Sequence, residues 1–396
     1  MLEFFVAFVT LFVTVLYLLL MYEYGTDSID EPKPPNVLPF VSIVIPVYNE
    51  QGVVGTTLDA VIAMDYPKNK LEVIVVDDES KDATAKEVEQ YTHKHHFIKL
   101  IKNKHVGIGN SSAKNTGIKH AKGDLIATLD SDSYPSRDAL KKMTAYFQDP
   151  SVMAATSEVR AYKPRNIIEQ LQAVEYAVTI VSRKLLSFLD AVTVTPGPLS
   201  VYRAEVFKNL GDFDTGSILE DQEIAYRMQA NNYKIESSIS ATVYTQVPSK
   251  IMTLLRQRIR WNRGGIRNYI KYRRMFSLKY GDFGIAILPL GFLGAMMVFV
   301  VLLSFFYTII TGQYFESYTY GLNSFFYGFG AVHVVSFLIL LLTVAWIIIA
   351  RKVIQNEKQD LSYVKIAAYL IAYPALITIF WIATFFEEII GKKQKW

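Results

Sequence analysis

The sequence predicts an α/β domain with a mostly parallel sheet, joined to membrane helices on both sides. Two observations support this prediction. Between residues 40 and 247, short apolar runs alternate with segments of helical periodicity, as in sheets whose strands are buried on both faces. Long uncharged apolar stretches flank this region, and hydrophobic residues make up 51% of the 396 residues, more than a soluble chain of this length needs.

The composition excludes several classes of protein. The chain has no cysteine, which rules out a disulfide scaffold, a cysteine-ligated zinc or iron–sulfur site and a thiol nucleophile. Charged residues make up 20% of a strongly hydrophobic chain, so wholesale disorder is excluded. The net charge of +4 is too small to predict binding to nucleic acid.

Residues 1–24 are predicted to form an N-terminal transmembrane helix. The stretch from Phe4 to Tyr22 carries no charge and is long enough to cross about 30 Å of hydrocarbon as a helix. A secretory signal peptide is the alternative, but such a peptide has a basic start, whereas this chain begins Met-Leu-Glu. A polar, proline-rich linker follows over residues 25–39.

Residues 40–247 are predicted to form the α/β domain. Its expected strands are Val41 to Val47, Glu72 to Val76, Ile98 to Ile101 and Leu125 to Leu129. Helical patterns follow the first three strands, over residues 54–61, 83–91 and 113–121. Strands that alternate with helices predict right-handed crossovers. Polar residues end these strands, at the edge where open α/β sheets bind ligands.

The membrane-proximal part of the chain is predicted to be helical. Residues 164–190 repeat apolar residues at helical spacing. Residues 248–281 do so as well but are heavily basic, which is typical of helices on an anionic cytoplasmic surface. The C-terminal region, 282–396, contains three apolar segments: Phe283 to Ile310, Phe325 to Ala350 and Val364 to Phe386. Because of Pro374, two possibilities stay open for the last of them, a third plain span or a re-entrant pair.

The distribution of positive charge predicts the orientation in the membrane. The loop from Thr311 to Ser324 has no Lys or Arg, whereas the loop from Arg351 to Asp360 has three. The positive-inside rule therefore places the second loop and the α/β domain in the cytosol of a multi-pass cell-membrane protein. The basic tail at 392–395 fits this rule if the last segment is re-entrant, and conflicts with it if that segment is a third plain span.

Two acidic pairs are predicted to converge on one edge of the sheet. Asp130-Ser131-Asp132 directly follows a buried strand, and carboxylates at i and i+2 can face one hard cation. Asp77-Asp78 ends another strand. A solvated turn is the alternative for either pair alone. Together they would repel one another, and a divalent metal would relieve the repulsion.

Two further motifs allow two interpretations each. Glu220-Asp221 opens a helical stretch, where acidic residues commonly interact with the helix dipole, and where a general base would need a cleft and an acceptor hydroxyl. In the string from Gln257 to Trp261, tryptophan can stack on a sugar ring and arginine can bind diphosphate oxygens. A basic interfacial helix with an aromatic anchor is the alternative for that string.

Taken in order, these motifs resemble the inverting family 2 glycosyltransferases. The ordered set is Pro46-Val47-Tyr48-Asn49-Glu50, Asp77-Asp78, Asp130-Ser131-Asp132, Gly197-Pro198-Leu199-Ser200-Val201-Tyr202-Arg203, Glu220-Asp221 and Gln257-x-x-Arg260-Trp261. Within that family, the chain is similar to the membrane-embedded hyaluronan, chitin, cellulose and poly-N-acetylglucosamine synthases. The resemblance extends over residues 40–270 and fits the flanking apolar segments.

The resemblance implies a GT-A fold, a UDP-sugar donor and Mg²⁺ or Mn²⁺. It implies that six residues bind the nucleotide sugar: Tyr48, Glu50, Asp77, Asp78, Asp130 and Arg260. It implies that Asp132 binds the metal. The acceptor would be bound by Gly197, Pro198, Gln257 and Trp261.

The resemblance also assigns catalysis to Glu220-Asp221. Asp221 would be the general base that deprotonates the acceptor hydroxyl, giving inversion in a single displacement. Two features depart from the family pattern. Glu79 stands where glycine is usual after the first acidic pair, which leaves the shape of that turn open. The loop from Asn110 to Gly117 lacks the lysine pattern of polymer synthases, which weighs against processivity.

Two functions therefore remain open. The first is a processive β-glycan synthase that also exports its product, and the second is the transfer of one sugar to a membrane lipid. The expected partners are a UDP-sugar, a glycan or lipid acceptor and the bilayer. A partner subunit or a second copy of the chain would supply helices for an export channel.

Overall fold

The computed structural model describes residues 2–24, 31–103, 110–312, 331–354 and 361–391. Within them lies one sheet whose strands are β1 Val41–Val47, β2 Leu71–Asp77, β3 Ile98–Lys102, β4 Leu125–Thr128, β5 Ser133–Pro135, β6 Val152–Ala161, β7 Ser200–Arg203 and β8 Lys234–Thr245. Their order in space is β3-β2-β1-β4-β7-β6-β8-β5. Neighbours among β1 to β4 are parallel, and β7 is antiparallel to both β4 and β6. The α/β class and all four predicted strands are confirmed.

The helices of the described residues surround this sheet and continue beyond it. They are α1 Leu2–Tyr24, α2 Val54–Ile62, α3 Thr84–Lys94, α4 Asn110–His120, α5 Ala139–Ala145, α6 Ile167–Phe188, α7 Ala204–Leu210, α8 Glu220–Ala230, α9 Ile251–Lys271, α10 Leu288–Ile310, α11 Ala331–Val353 and α12 Tyr363–Ile389. The two predicted amphipathic helices are α6 and α9. The basic tail, most of the two loops used for the topology prediction and the start of the second C-terminal segment lie outside the described residues.

The central strands are apolar throughout because both faces of the sheet are covered. All seven residues of β1 are buried. Ile43 and Ile45 pack into one hydrophobic cluster, whereas Val44 packs into the other with Ile74 of β2. Alternate residues thus face different cores, which explains the continuous apolar run. The carboxyl ends of β1, β2 and β4 consequently meet at one edge.

The turn after β2 keeps a glycine-like shape although it contains Glu79. Glu79 has a φ of +62°, in the left-handed region that costs a non-glycine residue about 1–2 kcal/mol. Asn49, in the turn after β1, also has a positive φ, of 55°. Its side-chain oxygen accepts a hydrogen bond from the Lys81 N–H (2.8 Å), and its own N–H donates to Ser80 Oγ (3.0 Å). The two turns therefore support one another.

Four of the described helical segments are long and apolar enough to cross a membrane: Phe5–Tyr24, Phe283–Val300, Val334–Val353 and Tyr363–Ile389. Three of them, in α1, α11 and α12, contact α6. Met21 of α1 and Trp346 of α11 share a buried cluster with Val181 of α6. Residues near the end of α11 also contact the sheet, since the Arg160 side chain of β6 donates to the Ile354 carbonyl (2.8 Å).

Helix α9 lies along the α/β domain. Near its C-terminal end, Asn268 Nδ2 donates to Gln222 Oε1 (3.0 Å), and just beyond it the Tyr272 hydroxyl donates to Glu223 (2.7 Å). At its N-terminal half, the Arg258 guanidinium bonds to Glu175 of α6. Because both halves of this basic helix are held by these contacts, α9 packs against α6 and α8 and is not a membrane span.

Helix α12 runs without interruption through Pro374, over 27 residues. Of the two possibilities that the sequence left open for this segment, the structure shows one continuous helix rather than a re-entrant pair. A proline inside a helix costs about 3 kcal/mol, whereas non-helical backbone exposed to hydrocarbon leaves several polar groups unsatisfied at several kcal/mol each. The continuous helix therefore has the lower free-energy cost in an apolar environment.

Both halves of α12 contact the helices α6 and α9. Ile366, near its start, belongs to the cluster that includes α6. Thr384 accepts a hydrogen bond from Asn262 of α9 (3.3 Å), and Glu388 pairs with Arg263 and Arg267 of α9. Residues 366–388 of α12 therefore pack along α6 and α9.

Candidate active site

A single cavity of about 1240 Å³ opens at the carboxyl ends of β1, β2 and β4. It brings together nearly all of the residues predicted from the sequence. The predicted residues that line it are Tyr48, Glu50, Asp78, Asp130, Asp132, Gly197, Pro198, Asp221, Gln257, Arg260 and Trp261. Of the predicted set, only Asp77 and Glu220 are absent from its lining.

The strand-end side of the cavity is crowded with carboxylates. Asp130 and Asp132 follow β4, and the carbonyl of Ser131 between them accepts a hydrogen bond from the Thr57 hydroxyl of α2. Asp132 Oδ1 accepts long hydrogen bonds, both 3.3 Å, from Ser133 and Thr245. Burial, and then the negative charges of Asp130 and Glu50, raise the pKa of Asp132 to about 7. The site therefore favours a bound cation.

The two residues of the first acidic pair, Asp77 and Asp78, have different surroundings. Asp78 faces the cavity and accepts a hydrogen bond from Asn103 Nδ2 (2.6 Å). Asp77 is buried, at 4% exposure, and its Oδ1 accepts the Ser80 N–H (3.1 Å). Asp77 thus caps the turn after β2 from inside. Tyr48, at 51% exposure, stands at the open rim of the same region.

Gly197 lies directly against the carboxylate of Asp130. A Cβ at this position would come within 2.2 Å of Asp130 Oδ2, so only glycine fits. The neighbouring Leu199 is fully buried with a φ of +52°. The Pro198 carbonyl accepts a hydrogen bond from the Ser157 hydroxyl (2.6 Å). The Gly-Pro-Leu turn is therefore held close over the acidic cluster, where it forms one wall of the cavity.

The two residues of the second acidic pair, Glu220 and Asp221, also have different surroundings. Asp221 faces the cavity, and its Oδ1 accepts the Gln222 N–H (2.8 Å), which orients the carboxylate. Burial and the adjacent Glu220 raise the pKa of Asp221. Glu220 instead forms a buried ion pair with Lys114 Nζ (2.9 Å). Burial alone would raise the pKa of Glu220, but Lys114 outweighs it and holds that pKa below its usual range.

Lys114 was not among the site residues predicted from the sequence. Its side chain is 2% exposed and lies over the Phe213 ring, 5.5 Å from the centroid. The next residue, Asn115, bonds to both the N–H and the carbonyl of Phe213 (2.9 and 2.8 Å). Helix α4 thus fixes the segment that leads into α8. The sequence did contain a signal for Lys114, because it is a charged residue among the small residues of the short helix α4.

The opposite wall of the cavity is formed by α9. Gln257, Arg260 and Trp261 line it. The Arg258 guanidinium carbon lies 4.0 Å from the centroid of the Trp261 ring, a close cation–π contact. Because Arg258 is itself bonded to Glu175 of α6, the indole is held in a defined orientation. Arg258 and Glu175 were missed as site residues because their partners are distant in sequence.

The cavity continues towards the apolar helices α10 and α12. Its far wall contains Tyr269 of α9, Gly291 and Ala295 of α10, and Trp381 of α12. Gly291 has no room for a side chain, since a Cβ there would lie 2.2 Å from the Tyr269 hydroxyl oxygen. One cavity therefore connects the acidic strand ends with small and aromatic residues of α9, α10 and α12.

Comparison with known proteins identifies relatives of this arrangement. Residues 37–264 match the family described as "Glycosyltransferase like family 2". The chain is 29% identical over 294 residues to the probable glycosyltransferase YdaM of Bacillus subtilis (strain 168), covering 67% of this chain and 66% of YdaM. It is 28% identical over 347 residues to a poly-β-1,6-N-acetyl-D-glucosamine synthase of Staphylococcus epidermidis, covering 86% of this chain and 80% of the synthase.

Two further comparisons agree with these. A poly-β-1,6-N-acetyl-D-glucosamine synthase of Staphylococcus aureus (strain MW2) is 29% identical over 295 residues, covering 72% of this chain and 70% of that synthase. The mannosyltransferase PcManGT of Pyrobaculum calidifontis, in complex with GDP-Man and Mn²⁺, has a similar fold, with a TM-score of 0.63 and 21% identity. The match covers 91% of this chain and 100% of PcManGT. The predicted GT-A fold is confirmed.

Proposed function

Because the chain belongs to glycosyltransferase family 2, we propose that it is a membrane-embedded inverting synthase that adds sugars from a UDP-sugar to a growing β-glycan. One observation carries this proposal. A single cavity joins the strand-end carboxylates, Asp221 and the α9 aromatic wall, and reaches α10 and α12. The relatives that are named poly-β-1,6-N-acetyl-D-glucosamine synthases support a glycan product and make UDP-N-acetylglucosamine the first donor to test.

We assign the donor to the strand-end side of the cavity. Tyr48, Glu50 and Asp78 would contact the nucleoside, and Asp130 the sugar–phosphate part. Arg260 would bind diphosphate oxygens from the opposite wall, since a guanidinium binds them in bidentate fashion. Asp77 is assigned a supporting role, because it caps the turn that carries Asp78.

A divalent cation, Mg²⁺ or Mn²⁺, fits beside Asp132. The mutual repulsion of Asp132, Asp130 and Glu50, which follows burial in raising the pKa of Asp132, is the observation that favours it. The described residues contain no group of three or more His, Cys, Asp or Glu side chains able to hold a metal alone. Asp132 would therefore share the ion with donor phosphate oxygens. When bound, such an ion neutralises charge on the leaving diphosphate.

Asp221 is the proposed general base. Its carboxylate would accept the proton of the acceptor hydroxyl while that oxygen attacks the anomeric carbon. The bond from the anomeric carbon to the phosphate oxygen then breaks, its electron pair leaves with UDP, and the configuration inverts. The Gln222 N–H orients the carboxylate for this task, and the Lys114–Glu220 ion pair holds the start of α8 in place.

We place the acceptor between the Gly197–Pro198 turn and α9. Trp261, held by Arg258, would stack on the terminal sugar, with Gln257 beside it. The far wall supports an acceptor that extends towards the membrane. It also keeps a second candidate open, the transfer of one sugar to a lipid, because Trp381 and Ala295 of the membrane segments line the cavity.

Product analysis tests this proposal and separates the two candidates. The full chain would be purified in nanodiscs, and UDP release measured with a panel of UDP-sugars plus Mg²⁺ or Mn²⁺. We expect release with one donor and a ladder of glycans on a gel. A single lipid-linked sugar would favour the second candidate, and no UDP release from any donor would contradict both.

We also propose that α1, α10 and α11 cross the membrane, with the catalytic domain in the cytosol, and that α12 lies in the cytosolic leaflet. The contacts of α12 with α6 and α9 along its length support this arrangement, as does the positive-inside rule. A C-terminal tag should be protected in intact cells, whereas a tag in the Thr311 to Ser324 loop should be accessible. External labelling of the C-terminal tag would contradict the placement of α12.

A further inference from the structure

Arg183 of α6 is a buried guanidinium that lines the cavity. Its exposure is 8%. Among the described residues its Nε has no hydrogen-bond partner, and its Nη1 makes only one long hydrogen bond, 3.4 Å to the Ser157 carbonyl. It forms no ion pair with any described carboxylate. The donors of this side chain are therefore largely unused.

Other buried cations of the described chain are paired. Lys114 is paired with Glu220, Arg160 with Glu158, and Lys184, the neighbour of Arg183, with Glu236 at 3.7 Å. A buried charge without a partner is costly. In keeping with this, burial lowers the pKa of Arg183 to about 10. Such a residue at a cavity wall indicates that the missing partner comes from a ligand.

The position of Arg183 assigns it to the acceptor part of the cavity. The carbonyl that it contacts belongs to Ser157, whose hydroxyl donates to Pro198 in the Gly-Pro-Leu turn. The ionisable groups that act on it electrostatically are Asp221 and, after it, the Tyr176 phenol. It therefore lies on the side of the proposed base, and Arg260 supplies the guanidinium for the diphosphate from α9.

We propose that Arg183 is an acceptor-binding residue, whose guanidinium donates hydrogen bonds to oxygen atoms of the terminal acceptor sugar next to the hydroxyl that Asp221 deprotonates. This rests on the proposed function. A guanidinium offers five N–H donors in one plane, which suits the hydroxyl and ring oxygens of a sugar. Arg183 thereby orients the acceptor hydroxyl towards Asp221.

The test compares three variants of the full chain in nanodiscs: Arg183→Met, Arg183→Lys and the control Lys184→Met. Lys184 is equally buried on the same helix, but it is paired and does not line the cavity. The probes are UDP, UDP-N-acetylglucosamine and a short β-1,6-linked N-acetylglucosamine oligosaccharide. Three quantities are measured for folded protein: UDP affinity, hydrolysis of the donor by water, and kcat/KM for the oligosaccharide.

We expect Arg183→Met to lower kcat/KM for the oligosaccharide by about 10- to 100-fold, since hydrogen bonds to charged groups are worth that much. UDP affinity and donor hydrolysis should stay within twofold of wild type. Lys184→Met should leave kcat/KM for the oligosaccharide unchanged. Arg183→Lys keeps the charge but loses the planar donors, so an intermediate loss is expected, and this variant serves if Arg183→Met does not fold.

Two results would overturn the inference: parallel losses of UDP affinity and acceptor use, or unchanged acceptor use in the folded Arg183 variants. Thermal stability provides a separate readout. Removing an unpaired buried charge should not lower the melting temperature, whereas Lys184→Met, which breaks a pair, should lower it. Failure of the proposed function would appear differently, as wild-type protein that neither binds UDP nor releases it from the donor.

Discussion

The two sides of the cavity differ in how their charged side chains are paired. On the strand-end side, Glu50, Asp130 and Asp132 crowd together with no ion pair to a described residue, and the carboxyl ends of parallel strands hold them there. On the helix side, the buried arginines of the described residues other than Arg183 are paired, as Arg258 is with Glu175 and Arg263 with Glu388. The comparison shows that the sheet concentrates uncompensated negative charge, whereas paired charges hold the aromatic and polar groups of the helices in place; the proposed function assigns the chemistry to the first side and the acceptor to the second.

If the strand-end carboxylates need a cation, its removal should have the largest effect. Chelation with excess EDTA, or Asp132→Ala, should abolish sugar transfer because the leaving diphosphate loses its neutralising charge. Activity should return on adding Mg²⁺ or Mn²⁺ to the chelated wild type. Transfer assays with and without EDTA check this, and full activity in excess EDTA would show that the carboxylate cluster works without a metal.

Asp221 stands between the two sides, and its variant should separate binding from chemistry. Asp221→Asn keeps the shape of the side chain but cannot accept a proton, so kcat should fall by about 10²- to 10⁴-fold. UDP affinity should remain within twofold of wild type. Calorimetric titration of UDP together with single-turnover transfer measures both. Weakened UDP binding with turnover retained would move the base to another residue.

Trp261 tests the helix side alone. Covering the apolar face of a large side chain is worth about 1.5–3 kcal/mol, so Trp261→Ala, which removes the face that the acceptor sugar would cover, should strongly impair acceptor use and elongation while leaving UDP affinity nearly unchanged. Arg258→Met should give a smaller loss of the same kind, because the ring persists but is no longer held by the guanidinium. If Trp261 only anchors a helix at the membrane surface, both substrates should be affected alike, after normalisation to folded protein.

The pH profile should show a smaller effect that links the two sides. Because burial and Glu220 raise the pKa of Asp221, and a base must be deprotonated, kcat/KM for the acceptor should fall as pH drops through that raised pKa. Glu220→Gln removes the adjacent negative charge, so the acid limb should move to lower pH. Asp214→Asn, a change at an exposed ion pair with Lys271, is the control. If the acid limb of Glu220→Gln stays at the wild-type pH, the limb does not report the titration of Asp221.

Much of the fold could be predicted because its signals are local. The apolar run of β1 is buried on both faces, and such a run can hardly be anything but a central strand of a covered sheet. Asp130 and Asp132 were located for the same reason, since a polar turn directly after a buried strand lies at the ligand-binding edge. These inferences need only neighbouring residues.

The division of labour within each acidic pair could not be predicted. Asp77 and Asp78 are adjacent, yet one caps a turn and the other faces the cavity. Glu220 is removed from the cavity by Lys114, which lies 106 positions away in sequence. The course of α12 was left open by the sequence, because a proline allows either a break or a kinked helix, whereas the contacts with α9 form only after folding.

The sequence by itself therefore determined the α/β class, the apolar helices and the set of residues at the strand ends, because burial and periodicity leave their mark on consecutive residues. The tertiary structure decided which carboxylate of each pair faces the cavity, how Arg258 holds Trp261, and where the unpaired Arg183 lies. These features depend on pairs of charges brought together from distant parts of the chain, and the energy of a buried charge is set by its partner rather than by its neighbours in sequence.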